Sequence, residues 1–156
     1  MSHQTVQTAF VTITDLNLLE QAVQAVTIES LGTNLVLDRN RKSARYYGRA
    51  IDSNPKNVGV ITYGRELTPS EKSHNYEIAV RAGTKKVDGT EMEVFDLFAD
   101  THASDRTMQN KIAKVLEGYQ IAIVADEMTS LGAIGMEEVT DEVPEGYRCV
   151  EFEVPN

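Results

Sequence analysis

The sequence contains no tryptophan, one cysteine and only 6% aromatic residues among its 156 residues. A single cysteine, Cys149, excludes an intramolecular disulfide, so a small secreted scaffold held by bridges is excluded and a cytoplasmic location is expected. No apolar run approaches the roughly 20 residues of a membrane-spanning helix, and the N-terminus lacks the basic and then apolar pattern of a signal peptide. We therefore expect one domain, residues 1–156, with no membrane contact.

Basic residues are scarce except in one segment. The formal net charge is -9, and it divides into -4 over residues 1–38, +7 over 39–86, -3 over 87–116 and -9 over 117–156. The overall charge argues against general nucleic-acid binding, which needs an excess of Lys and Arg. A basic middle and an acidic end predict pairing, either within the fold or between copies of the chain.

The first half of the chain predicts strands around one helix. Alternating and helical spacings of apolar residues indicate the following elements: a strand at Thr5–Ile13, a helix at 15–27 ended by Gly32, and strands at Asn34–Leu37, Ala44–Ile51 and Val58–Tyr63. The loop after Tyr63 contains Pro69 and is predicted to have no regular structure.

The second half predicts two hairpins separated by a long helix. Asp88-Gly89 lies between the alternating segments Tyr76–Ala82 and Glu91–Phe98, which is a strong turn signal. A helical stripe indicates one helix over 105–131, and a last hairpin joins 134–140 to 147–154. The predicted fold is a two-layer α+β domain, with a largely antiparallel sheet and two helices, one of them long, on one face.

Several short segments resemble an uncharacterised family, the hypothetical chloroplast reading-frame family of cyanobacteria and plastids, which also has members in bacteria and phages. The similarity rests on Tyr46-Tyr47-Gly48-Arg49, Val58-Gly59-Val60-Ile61, the hairpin around Asp88-Gly89, and Asn110, Tyr119, Val124, Glu127 and Gly132 of the long helix. The chain departs from the family at its acidic end and in its longer loop 64–74. The resemblance implies no established activity, and a phage or plastid-type accessory protein would fit it.

A cluster of bases and tyrosines at 39–49 is the strongest candidate ligand site. Arginine binds phosphate through paired N–H groups and tyrosine stacks on nucleobases. The hairpin that we predict around residues 39–49 is therefore suited to a nucleotide-like anion. The alternative is a solvated loop whose basic residues protect a strand edge. The candidate residues are Arg39, Arg41, Lys42, Arg45, Tyr46, Tyr47 and Arg49.

A second candidate is a metal site at Asp100, His102 and Asp105, with Asp96 nearby. Imidazole and carboxylate groups bind divalent ions, but the spacing matches no metal motif, and the alternative is a polar linker that caps the long helix. No phosphate-binding glycine loop or nucleophile elbow is present in the sequence.

The function that these patterns favour is a non-enzymatic binding or assembly module that contacts a protein partner or itself. We expect no cofactor. The alternatives are a binder of a small nucleotide-like anion at 39–49 and, less favoured, a metal-dependent enzyme.

Overall fold

The computed structural model describes residues 4–6, 11–100, 106–143 and 149–153. In chain order its elements are β1 (Gln4–Val6), α1 (Leu16–Gln24), β2 (Thr27–Ile28), β3 (Thr33–Asp38), β4 (Ala44–Arg45), β5 (Ile51–Asp52), β6 (Asn57–Tyr63), α2 (Pro69–Lys72), β7 (Ile78–Val87), β8 (Thr90–Asp100), α3 (Arg106–Ser130), β9 (Gly135–Val139) and β10 (Cys149–Glu153).

Six of these strands form one antiparallel sheet in the order β1-β8-β7-β6-β3-β2. Its longest ladder joins β7 to β8 through a two-residue turn in which Asp88 (φ 51°) and Gly89 (φ 80°) both have left-handed backbone conformations. This is the geometry that favours Asp-Gly in hairpins, and the predicted hairpin is confirmed.

The helices α1 and α3 lie on one face of the sheet. A buried row crosses four strands from Leu37 through Ile61 and Ile78 to Ala99. Tyr63 lies two residues from Ile61 and therefore on the same face, where its hydroxyl accepts a hydrogen bond from Lys111 Nζ of α3 at 2.9 Å. The predicted α+β class is confirmed.

Helices α1 and α3 approach each other closely on that face. The buried stripe of α3 has helical spacing and consists of Met108, Ile112, Val115 and Tyr119. A Cβ placed on Gly118 would lie at van der Waals distance, 3.4 Å, from the Cβ of Ala22 in α1, so the two helices are in close contact there. The Tyr119 hydroxyl accepts hydrogen bonds from the backbone N–H groups of Thr14 and Asp15, at 3.0 and 3.1 Å, just before α1.

The opposite face is covered by the segment 39–57. Asp38, Val60, Ala79 and Phe98 form the adjacent row on this face, and Ala44 and Tyr46 pack against its apolar members. The prediction of one strand at Ala44–Ile51, paired in a hairpin with the preceding strand, is wrong. Only the short pair β4 and β5 forms there, because β3 pairs with β6 instead.

Local signals explain two further differences from the predicted elements. Asp15 caps α1 by accepting the Leu18 N–H at 3.0 Å, but the helix ends at Gln24, and Gly32 (φ 63°) instead ends the 3-10 turn Glu29–Leu31. The loop after Tyr63 contains the unpredicted helix α2, whose capping box joins Thr68 and Glu71. Within the predicted strand Thr5–Ile13, the structure has the end of β1 and an isolated antiparallel bridge from Ile13 to Phe95. Residues 7–10 lie outside the described residues.

The chain divides into two compact units, Met1–Tyr119 and Gln120–Asn156, and the boundary falls within α3. The second unit contains the end of α3 and the antiparallel pair β9 and β10, so the predicted last hairpin is confirmed, although its turn at 144–146 lies outside the described residues. The assignment of residues 1–156 to one domain stays a prediction. In the described part of the chain, no helix has the length and apolar character needed to cross a bilayer.

Candidate functional site

Tyr46, a candidate stacking residue, is part of the core. It is 3% exposed, and its hydroxyl donates to Asp52 Oδ2 at 2.7 Å. Burial and this hydrogen bond raise the pKa of Tyr46 well above its usual value. Tyr47 is partly exposed, and its backbone N–H donates to Asp100 Oδ2 at 2.9 Å. The ring of Tyr46 is therefore not available to a ligand in this arrangement.

Tyr46 belongs to a buried polar network centred on Asp52. The carboxylate accepts hydrogen bonds from Tyr46, from Asn57 Nδ2 at 3.1 Å and from the Asn54 N–H at 3.1 Å, and it forms an ion pair with Arg81. Burial acts to raise the pKa of Asp52, but these hydrogen bonds and Arg81 outweigh it and lower the pKa. Arg81 also lies over the Phe98 ring at 3.8 Å. The network attaches the segment 39–57 to the sheet.

A second buried carboxylate, Glu77, fixes the basic segment at the other end of the same face. Arg41 donates to both of its oxygens, at 2.7 and 2.8 Å, and the Arg45 backbone N–H donates at 2.9 Å. The Thr62 hydroxyl donates to it as well. Burial acts to raise the pKa of Glu77, but the hydrogen bonds from Arg41, Thr62 and Arg45 lower it, so Glu77 is an ionised structural group.

A surface groove opens above Glu77, and we call it the basic groove. Its cavity volume is about 730 Å³. Its charged lining consists of Arg41, Arg45, Arg65, Lys72, Glu66 and Glu77. Apolar lining comes from Val36, Ile51 and Leu67. A concave site with an apolar wall and a few convergent cations is of the kind that holds small ligands.

Helix α2 and the residues that follow it hold two cations of the groove in place. The Arg45 guanidinium donates to the carbonyl oxygens of Lys72 at 2.6 Å and Asn75 at 2.9 Å. Arg65 forms an exposed ion pair with Glu71 at 2.7 Å, and this pair lowers the pKa of Glu71 to about 2. The short helix that the sequence did not predict thus places two cations of the groove.

The structure therefore brings two of the seven predicted residues of 39–49 to the groove, namely Arg41 and Arg45. Arg39 donates to Asn17 Oδ1 at 2.9 Å and is exposed, as are Lys42 and Arg49. The predicted stretch is not a single binding hairpin, because its side chains point to the core, to Glu77 and to solvent.

Of the predicted metal site at Asp100, His102 and Asp105, the structure describes only Asp100, so the site stays a prediction. Asp100 is 1% exposed and accepts a hydrogen bond from the Tyr47 N–H. His102 and Asp105 lie outside the described residues, and no group of three potential ligands occurs within the described ranges. Cys149 is a free and exposed cysteine on β10.

The groove also contains four residues that the sequence analysis does not predict, namely Thr62, Arg65, Lys72 and Glu77. One signal was present for Glu77, because an acid inside the apolar strand 76–82 needs a buried partner. The others come from β6, the loop after it and α2, and their convergence depends on the pairing of β3 with β6 and β6 with β7.

Comparisons with protein-family models, curated proteins and solved structures found no significant match. The resemblance to the hypothetical chloroplast reading-frame family therefore stays a prediction.

Proposed function

We propose that this protein is a non-enzymatic assembly module that binds a protein surface through its second unit, Gln120–Asn156. One observation carries the proposal: none of the residues described after Tyr119 is buried. Among the described residues, Tyr119 is the last buried hydrophobic residue along the chain, so the described part of the second unit has no core of its own. Apolar side chains in such a unit are expected to be covered by a partner.

Exposed apolar residues are concentrated in this unit. Leu131 is 77% exposed, Ile134 67% and Met136 50%, and Val124 is also exposed. The pair β9 and β10 forms a separate two-stranded sheet, an arrangement that is marginally stable in isolation. Contact with a partner would bury these side chains and stabilise the hairpin.

The charges of the two parts of the chain indicate what kind of partner the second unit binds. The second unit, residues 120–156, contains nine acids and one base and so carries a net charge of -8, and a symmetric contact of this unit with itself would place like charges together. Residues 39–86 carry +7, and a second copy of the chain therefore offers a complementary surface. We infer head-to-tail self-association. A cytoplasmic location is also proposed, and the single exposed cysteine supports it.

Light scattering after size-exclusion chromatography, over a range of protein and salt concentrations, tests this function. We expect concentration-dependent association that weakens as salt rises, because salt screens exposed charges. Leu131→Asp is expected to weaken association about tenfold or more, since burying a leucine contributes about 1.5–3 kcal/mol.

Thr140→Asp is the matched control, because it adds the same charge at an exposed polar position of the same unit. It should weaken association much less than Leu131→Asp. A monomer under all conditions, or equal effects of the two variants, would contradict the proposal.

A further inference from the structure

The basic groove has an excess of positive charge that its own ion pairs do not neutralise. Arg41 is paired with Glu77, and Arg65 with Glu71. Arg45 and Lys72 have no carboxylate partner within the ranges that the structure describes. Two cations and one carboxylate of the lining, Glu66, therefore remain outside these pairs, which leaves a net positive charge to attract an anion into a concave site.

The first of these cations is held in place before any ligand binds. The Arg45 guanidinium donates to the carbonyl oxygens of Lys72 and Asn75, which fixes its position but leaves its charge uncompensated. Guanidinium has five N–H donors, and those not used in these two bonds have no hydrogen-bond partner among the described residues. A fixed cation with free donors loses less conformational entropy when it binds an anion.

The second cation and an apolar side chain complete the site. Lys72 ends α2, its side chain is exposed, and its ammonium group makes no hydrogen bond within the described part of the chain. Ile51 of β5 also lines the groove and is 65% exposed. An exposed isoleucine beside two cations favours a ligand that is anionic at one end and apolar or aromatic at the other.

We propose that the basic groove binds a small organic phosphate, with its phosphoryl group at Arg45 and Lys72 and its apolar or aromatic body against Ile51. The volume of about 730 Å³ falls within the range of small-molecule sites, about 300–1,000 Å³. A nucleotide has this chemistry and is the test ligand. The site lies within the unit Met1–Tyr119, in the basic segment 39–86 that the proposed self-association would also contact, but its test is ligand binding and not association.

The experiment is an amide chemical-shift titration of the ¹⁵N-labelled protein with adenosine monophosphate, inorganic phosphate and adenosine in parallel. We expect saturable shifts at Arg45, Ile51 and Lys72, and the tightest binding for the monophosphate. Shifts from inorganic phosphate of equal affinity would overturn the role of Ile51. No saturable shift at these residues with any of the three would overturn the site.

Lys72→Gln removes the second cation without removing a described side-chain bond. We expect about twofold to fivefold weaker binding of the monophosphate, as for an exposed ion pair. Ile51→Glu is expected to weaken binding further, because it places a carboxylate at the apolar wall. The amide spectrum of each variant shows whether the fold is retained.

Lys85→Gln is the matched control, since Lys85 is an exposed lysine on β7 that does not line the groove. It should leave the affinity unchanged. If it weakens binding as much as Lys72→Gln does, the attraction is a general effect of net charge and the proposed site is wrong.

Discussion

Removal of the Asp52 carboxylate tests whether the segment 39–57 is attached to the sheet by a buried ion pair. The Asp52 side chain is 3% exposed and that of Arg81 is 14% exposed, so Asp52→Asn leaves a guanidinium largely buried without its anion. Asparagine also presents an NH₂ group where the carboxylate accepts only hydrogen bonds, from Tyr46 on one oxygen and Asn57 on the other.

Breaking a buried ion pair by removal of one partner costs about 3–5 kcal/mol, and the partial exposure of Arg81 places the expected loss near about 3 kcal/mol. For a chain of this length, that corresponds to a decrease in melting temperature of about 6–12 °C. Urea denaturation followed by circular dichroism measures the free energy of unfolding, and the slope against urea shows whether the unfolded state has changed.

A double-mutant cycle with Arg81→Met separates the ion pair from other effects of the substitution. Removing both charges should cost clearly less than the sum of the single losses, with a coupling of about 1–3 kcal/mol. Glu71→Gln, at the exposed pair with Arg65, is the comparison and should change stability far less. A loss below about 1 kcal/mol for Asp52→Asn, or additive single effects, would refute the reasoning.

Three further predictions concern the same unit. Because Glu77 and Asp52 have lowered pKa values, the unfolded state binds more protons below about pH 5, so the free energy of unfolding should fall as pH decreases there and be flat near neutrality in urea titrations. Gly64→Ala should destabilise by about 1–3 kcal/mol, because its Cβ would lie 3.0 Å from the Asn34 carbonyl oxygen, and a neutral result in thermal denaturation would contradict this. Tyr119→Phe removes the acceptor of two backbone N–H groups and should cost about 1–3 kcal/mol by the same measurement, and an unchanged stability would contradict this.

Elements with strong local signals could be predicted from the sequence. The Asp88-Gly89 turn needs left-handed backbone at both residues, and the stripe of α3 repeats at helical spacing, so neither depends on distant partners. The predicted strand at Ala44–Ile51 is wrong because this stretch does depend on distant partners. Tyr46 is buried by contacts with Val60, Ala79 and Phe98, which are distant in sequence, and alternation alone cannot distinguish such a covering segment from a strand.

The basic groove could be predicted only in part for a similar reason. Arg41 and Arg45 were selected as cations, but their carboxylate and carbonyl partners come from Glu77, Lys72 and Asn75, some 30 residues further along the chain. The helix α2 carries the signal Thr68-Pro69-Ser70-Glu71, a capping box with proline at the first helical position. The sequence analysis missed this signal, which indicates a helix start but does not indicate the face of the sheet that the helix borders.

The local charge of +7 over residues 39–86 has a structural explanation that the net charge of -9 conceals. Three of the four acids in this segment, Asp52, Glu71 and Glu77, are each paired with one arginine of the same segment. Such one-to-one pairing removes no net charge, so the excess is carried by the cations without carboxylate partners in the described ion pairs. Arg45 and Lys72 of the groove belong to this set, and they are the reason that an anion site is proposed in a strongly acidic chain.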